Sequence, residues 1–247
     1  LTAPVVAGVV GIAFLAAGTQ SVTGFGFALV MVPLLSLFWD VKLAVMTSTV
    51  VGSFSLVPLV VEVRRWLSLP KAFPLAMGGV AGVPLGLAIF TRIDADLLKV
   101  CVASLVIVAS LLLYFAPHFR VGGPPLVGSV IAGTLSGMLR ASTSMGGPPL
   151  VLYVLGRETE VEAFRSTILA VFLFNSVLTV IGLVIAHQIG GDVLTATGVA
   201  LPAVAAGLVA GAWLRSRVRQ GLFRTVVLAV LVFTSIGVIV STSGGIV

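Results

Sequence analysis

Arg140 stands inside a long apolar run and is followed by Ala141-Ser142-Thr143-Ser144-Met145-Gly146-Gly147-Pro148-Pro149, so one full positive charge meets a cluster of hydroxyls and glycines. A guanidinium is a planar fork of N–H donors matched to the oxygens of sulfonates, sulfite and carboxylates. A second polar break, Gly18-Thr19-Gln20-Ser21-Val22-Thr23-Gly24-Phe25-Gly26, interrupts the apolar run near the start of the chain. Unwound segments leave backbone N–H and C=O groups unpaired, which is costly in lipid unless they face protein, water or a ligand. Both breaks are therefore expected to line a cavity. Glycine lets the backbone approach a ligand closely, and Pro148-Pro149 suits the start of a new half-helix, where proline needs no N–H partner. Half-helix N-termini would present the positive ends of their dipoles to an anion.

The expected substrate-binding set follows from these two segments. The first supplies Gln20, Ser21, Thr23, Gly24 and Gly26. From the second come Arg140, Ser142, Thr143, Ser144, Gly146 and Gly147, and Asn175 joins them from the middle of an apolar helix. Each has a plainer alternative. Arg140 either faces the cavity or snorkels to the membrane interface, and the ten apolar or small residues before it favour the cavity. Gln20, Ser21 and Thr23 read equally as caps of broken helix ends and as ligand contacts. The same holds for Ser142, Thr143 and Ser144, tilted toward contact by the adjacent Arg140. Asn175 either links two helices or faces the cavity. Thr49, Ser53 and Thr167 are weaker candidates, because serine and threonine satisfy themselves on the preceding helical turn.

The elements that must hold these residues are set by composition. Of 247 residues, 59% are hydrophobic and only 22 are charged, with a mean hydropathy of +1.24. Too few charges exist to cover a 25.3 kDa body in water, so lipid must cover most of the outside. Long apolar stretches with at most one charge, placed near an end, predict spanning helices at about Val41 to Val61, Ala72 to Thr91, Leu97 to Pro117, Phe164 to Ala186, Leu194 to Leu214 and Leu222 to Val240. The pieces flanking each polar break look short, like arms of re-entrant helical hairpins. Trp39, Trp66 and Trp213 fall where spans meet loops, as aromatic anchors do.

An internal repeat organises the chain. Gly82-Val83-Pro84-Leu85-Gly86 lies over Gly207-Leu208-Val209-Ala210-Gly211 at an offset of 125, with Arg92 on Arg217. Ser48-Thr49 falls on Ser166-Thr167 at an offset of 118. The expected fold is an all-α integral membrane protein forming a single transmembrane domain, with repeats over 1–119 and 120–247, each a broken hairpin plus three spanning helices. A hairpin returns the chain to the side it entered, so each half is odd and the second is inverted relative to the first. Under that scheme Arg64, Arg65, Lys71, Arg120, Arg157, Arg165, Arg215, Arg217, Arg219 and Arg224 share one side, against Lys42, Arg92 and Lys99 on the other. The positive-inside tendency then puts the loops at Arg64 and Arg215 in the cytoplasm and both chain ends outside, in a multi-pass protein of the cell membrane. Parallel halves would also obey that tendency. The four arginines of Arg215 to Arg224, set against the neutral loop Arg92 to Lys99, favour inversion. The row Gly78, Gly82, Gly86 and the pair Gly207, Gly211 sit four apart on one helix face and are expected to be packing surfaces.

The two broken hairpins resemble a known family. Gly18 through Pro33 (GTQSVTGFGFALVMVP) and Gly133 through Leu152 (GTLSGMLRASTSMGGPPLVL) are similar to the paired glycine-rich motifs of the sulfite exporter TauE/SafE family, also called toluene sulfonate uptake permeases. The resemblance extends over nearly the whole chain, including the Ser-Thr pair after each hairpin. It implies a membrane transporter for sulfur-containing or carboxylate-bearing organic anions, or for sulfite and related oxyanions. Two features depart from the family pattern: Arg140 stands where small residues are more usual, and Gly26 is followed by Phe27 rather than another glycine.

Other function classes fit less well. Asp40, Glu62, Asp94, Asp96, Glu158, Glu160, Glu162 and Asp192 all fall at or near loops, so no carboxylate is placed to relay protons across the membrane. Coupling to H+ would have to use the substrate, an edge histidine or Glu62, and Na+ held by unwound carbonyls is the other route. An intramembrane enzyme needs a nucleophile with a base or metal in reach, and Cys101, His118 and His187 have no such partner in sequence. No cofactor or metal is expected. The net charge of +6 lies in loops and not in a patch interleaved with aromatics, which argues against nucleic acid. The reading is an alternating-access transporter of a small anion, with the site between the two hairpins. The alternatives are a carboxylate transporter or an anion channel.

Overall fold

The computed structural model describes residues 3–115, 125–158, 160–215 and 217. The expected span Leu222 to Val240, together with His118, Arg120, Arg219 and Arg224, lies outside the described residues. Among those described every regular element is helical: α1 (Ala3–Thr23), α2 (Phe27–Leu35), α3 (Val41–Val63), a 3₁₀ turn (Arg64–Trp66), α4 (Leu69–Arg92), α5 (Ala95–Phe115), α6 (Pro125–Thr143), α7 (Gly147–Leu155), α8 (Val161–Ile185) and α9 (Gly191–Arg215). The five expected spans in this range appear as α3, α4, α5, α8 and α9. Among the described residues five helices, α1, α3, α4, α8 and α9, are long and apolar enough to cross a membrane; α5 forms as a helix but is not one of these five.

The exterior is apolar and the interior carries polar groups, the reverse of a soluble protein. Ile185 and Val209 are each 72% exposed, whereas Gln20, Ser21, Arg140, Asn175 and Ser176 are buried. This is the pattern expected when lipid covers the outside.

The hairpin arms differ from expectation. Only the second arms, α2 and α7, are short, at nine residues each. The first arms, α1 and α6, run for 21 and 19 residues, about 30 Å at 1.5 Å per residue. Their polar ends stay helical because the hydroxyls of Thr19, Thr23, Ser142 and Thr143 each donate to the carbonyl four residues back, at 2.7–2.9 Å. The break itself is confined to Gly24–Gly26 and Ser144–Gly146.

The same local structure recurs 120 positions on. α2 begins at Phe27 and α7 at Gly147, while α3 begins at Val41 and α8 at Val161. In that register Ser48-Thr49 stands opposite Ile168-Leu169, two positions from the Ser166-Thr167 of the 118 offset.

The described residues fall into two compact units, one of 3–55, 93–110, 189–215 and 217, the other of 56–92, 111–115, 125–158 and 160–188. Helices α3 and α5 contribute to both, and each unit draws on both sequence halves. In the first, α1 packs along α9. A Cβ on Gly207 would strike the Phe14 carbonyl oxygen, and one on Gly211 would come within 2.6 Å of the Gly18 carbonyl oxygen. In the second unit α4 packs along α6 and α8. There Gly78, Gly82 and Gly86 sit directly on the carbonyls of Val130, Thr134 and Met138, and Gly133 and Gly137 face back onto α4. Such close backbone approach supplies the dispersion contact on which helix association in lipid depends.

Candidate functional site

Each hairpin tip is described within its own unit. In the first, the amide of Gly24 closes α1 onto the Gln20 carbonyl at 2.8 Å, and Gly24 and Gly26 take positive φ angles of 82° and 96°. The Thr23 hydroxyl accepts the Phe25 amide at 3.2 Å. Ser21 donates to the Leu208 carbonyl of α9 at 2.9 Å. Gln20, 3% exposed, has its Oε1 held by the Ser55 hydroxyl of α3 at 2.6 Å. Helix α2 then starts at Gly26 without a side-chain cap, so the N–H groups of its first turn are left to other acceptors.

The second tip follows the same plan with different chemistry. The Ser144 amide closes α6 onto the Arg140 carbonyl at 2.8 Å, and Thr143 Oγ1 accepts the Met145 amide at 3.3 Å. Ser144 takes a φ of 67°, a left-handed conformation that costs a residue with a Cβ about 1–2 kcal/mol and that Gly24 adopts freely. Gly146 is clamped by the Ser136 hydroxyl, which donates to its carbonyl at 2.7 Å, and a Cβ there would press on the Ser136 carbonyl. Pro148 and Pro149 occupy the first turn of α7, as expected. Having no N–H, they leave that helix start mainly its dipole and the Gly147 amide to offer an anion.

Arg140 takes the place that Gln20 holds in the first tip. Its residue is 7% exposed, and Nε donates to the Ser176 hydroxyl of α8 at 2.9 Å. Nη2 donates to the same oxygen. The Phe172 ring lies 5.7 Å from the guanidinium carbon. No carboxylate among the described residues pairs with it. The carbonyl end of α6 offsets part of the charge, since the helix dipole amounts to about half an electron at its C-terminus. One turn of α8 away from Phe172, Asn175 is fully buried, and neither its Oδ1 nor its Nδ2 has a hydrogen-bond partner among the described residues. Its carboxamide fits against α4 only because Gly79 has no side chain, for a Cβ there would land on Oδ1.

Arg165 provides the contrast within the same unit. Expected at the start of the span Phe164 to Ala186 among the cations of one side, it is buried in the first turns of α8, with Nη1 at 3.4 Å from Glu162 and 3.8 Å from Glu62. A buried arginine in this unit can thus be compensated by acids, and Arg140 is not.

Of the expected site residues, the second tip holds Arg140 beside Ser142, Thr143, Ser144, Gly146 and Gly147, with Asn175 on the neighbouring α8. The hydroxyls of Thr23, Ser142 and Thr143 are used in finishing their own helices. Sequence reasoning missed Ser176 and Phe172. Ser176 carried one signal: it lies 121 positions after Ser55, the partner of Gln20. His187 closes α8 at a φ of 53°, and no cluster of metal-ligating residues occurs among the described residues.

A helical chain with several helices long and apolar enough to cross a membrane is a multi-pass membrane protein. The Sulfite exporter TauE/SafE family profile matches residues 9–238, and the chain belongs to that family. It is accordingly a membrane transporter of the sulfite and sulfonate exporter type, with a small anionic substrate. No curated protein and no solved structure matches the chain.

Proposed function

We propose that this protein carries small sulfur-containing anions, sulfonates or sulfite, across the cell membrane by alternating access, and that Arg140 holds the anion's oxygens. The observation behind the reading is the isolation of that guanidinium: buried, held by one neutral hydroxyl, and without an acid among the described residues. An uncompensated buried charge costs several kcal/mol, and an arriving anion would remove that cost. The end-on fork of Nη1 and Nη2 suits two oxygens of a sulfonate.

The recurrence of the hairpin tips 120 positions apart supports two repeats over 1–119 and 120–247, which we read as inverted. Rocking of one repeat against the other would expose the site to each side in turn. Any H+ or Na+ coupling would act outside the Arg140–Ser176 pair, which includes no titratable carboxylate.

The test is ligand-induced thermal stabilisation of purified protein against sulfite, thiosulfate, short sulfonates and matched carboxylates. A ligand at a hundred times its Kd stabilises by about 2.7 kcal/mol. Arg140→Ala is expected to stay folded and to lose that response. Full stabilisation in the variant would remove Arg140 from the site. A preference for carboxylates would favour the organic-acid reading, and flux that fails to saturate would favour a channel.

A further inference from the structure

We infer that Ser176 is a positioning and specificity-determining residue of the anion site: its oxygen fixes the side edge of the Arg140 guanidinium, and its own proton is reserved for an oxygen of the substrate. This rests on the reading of Arg140 given above. A hydroxyl has two acceptor lone pairs and one proton. At Ser176 both acceptor positions are filled by Arg140, through Nε at 2.9 Å and through Nη2. The usual outlet for a helical serine's proton is a carbonyl one turn back. Thr179 uses that outlet on the same helix, donating to the Asn175 carbonyl at 2.7 Å, and Ser166 donates to Ala163 at 2.9 Å. Ser176 makes no such bond. It is fully buried, so the proton meets a substrate oxygen only in the conformation of the transport cycle that opens the space beside Arg140.

Two consequences follow from the geometry of the fork. Arginine offers a side edge, Nε with Nη2, and an end edge, Nη1 with Nη2. Ser176 occupies the side edge, and Nη1 has no acceptor among the described residues. The guanidinium is thereby turned to present its end edge, which takes two oxygens. The Ser176 proton supplies a third donor beside it. A sulfonate has three oxygens, so a separate one is left for the hydroxyl once the fork is satisfied, whereas a carboxylate must offer the hydroxyl an oxygen that the fork already holds, in worse geometry. Ser176 is therefore assigned to discrimination between trigonal sulfur oxyanions and carboxylates. The unpartnered carboxamide of Asn175, one residue away, marks the same stretch of α8 as short of hydrogen-bond partners in the unliganded protein.

The experiment measures ethanesulfonate and propionate affinity by calorimetry on the full chain in detergent, for wild type, Ser176→Ala, Ser176→Thr, Ser176→Asp and Arg140→Ala. Ser176→Ala is expected to weaken ethanesulfonate roughly ten- to hundredfold, as loss of a hydrogen bond to a charged group does. Propionate should weaken by less, and Ser176→Thr should restore the preference. Ser176→Asp places an internal counter-ion on the guanidinium, and that variant should fold and respond to neither anion. Equal weakening of both ligands in Ser176→Ala overturns the specificity assignment. Unchanged affinities in Ser176→Ala with binding abolished in Arg140→Ala overturn the role of Ser176 and leave the Arg140 site standing. Unchanged affinities in both variants overturn the two readings together, and full ethanesulfonate affinity in Ser176→Asp overturns the Ser176 assignment by itself.

Discussion

Asn175 is best probed by making it apolar. Replacing it with leucine keeps the length and branching of the side chain but deletes both polar atoms. In the protein the carboxamide is fully buried, its oxygen and nitrogen both lack partners, and its neighbour across the helix crossing is the bare backbone of Gly79. Each unsatisfied buried polar group costs about 1–3 kcal/mol, so removing two should stabilise the fold by about 2 kcal/mol even at the low end. For a chain of this size 1 kcal/mol moves Tm by roughly 2–4 °C, which gives an expected rise of about 4–8 °C. The assay is thermal unfolding of the anion-free protein in detergent, followed by tryptophan fluorescence. Transport measured in vesicles should fall at the same time if the carboxamide is kept for the substrate. A lower Tm in Asn175→Leu would refute the reasoning, because it would mean that the carboxamide is hydrogen-bonded in the resting protein.

Other variants test the packing and the charge balance. Gly82→Ala places a methyl on the Thr134 carbonyl, and overpacking of this kind should destabilise by about 1–3 kcal/mol despite the better helix former. Gly198→Ala, with nothing within 4 Å of its Cβ, should instead stabilise by about 0.4–1 kcal/mol, so opposite signs in the same Tm assay are the expected outcome. Arg165→Ala leaves Glu62 and Glu162 without their partner. Because both carboxylates are more than a third exposed, the loss should stay near 1–3 kcal/mol, below what a fully buried pair would cost. An unchanged Tm in that variant would remove the ion pairs from the stability of α8.

The spanning helices were legible because their signal is length and the absence of charge. Val41 to Val61 and Leu194 to Leu214 read from sequence differ from α3 and α9 by only a few residues at either end. The extent of α1 and α6 was not legible. A run such as Thr19-Gln20-Ser21-Val22-Thr23 looks like a loop, yet in an apolar setting each threonine hydroxyl bonds back to its own helix and lets it continue. Arg140 stood out in the sequence as a lone charge in an apolar run, and of its two readings, buried or snorkelling, the structure has it buried. The burial of Arg165 was not legible: Glu162, three residues before it, is a local partner, but Glu62 comes from another helix. Ser176 was overlooked because serine in a helix is ordinarily self-satisfied, and only its lack of that bond sets it apart.

The glycine contacts have a consequence for how the chain is made. Helix α4 presents Gly78, Gly82 and Gly86 to α6, and α1 presents Gly18 to α9, so each long arm completes its packing with a helix from the other half of the chain. During synthesis the glycine face of α4 would wait in the bilayer until residues 125–143 emerge, and α1 would wait until α9, about 170 residues after it, is threaded. On the repeat reading, a half-length ancestor could cover these faces only by lending its arm to a second copy and borrowing that copy's arm in return. Joining the two copies in one chain turns an encounter between molecules into one within a molecule, at the effective concentration set by the tether.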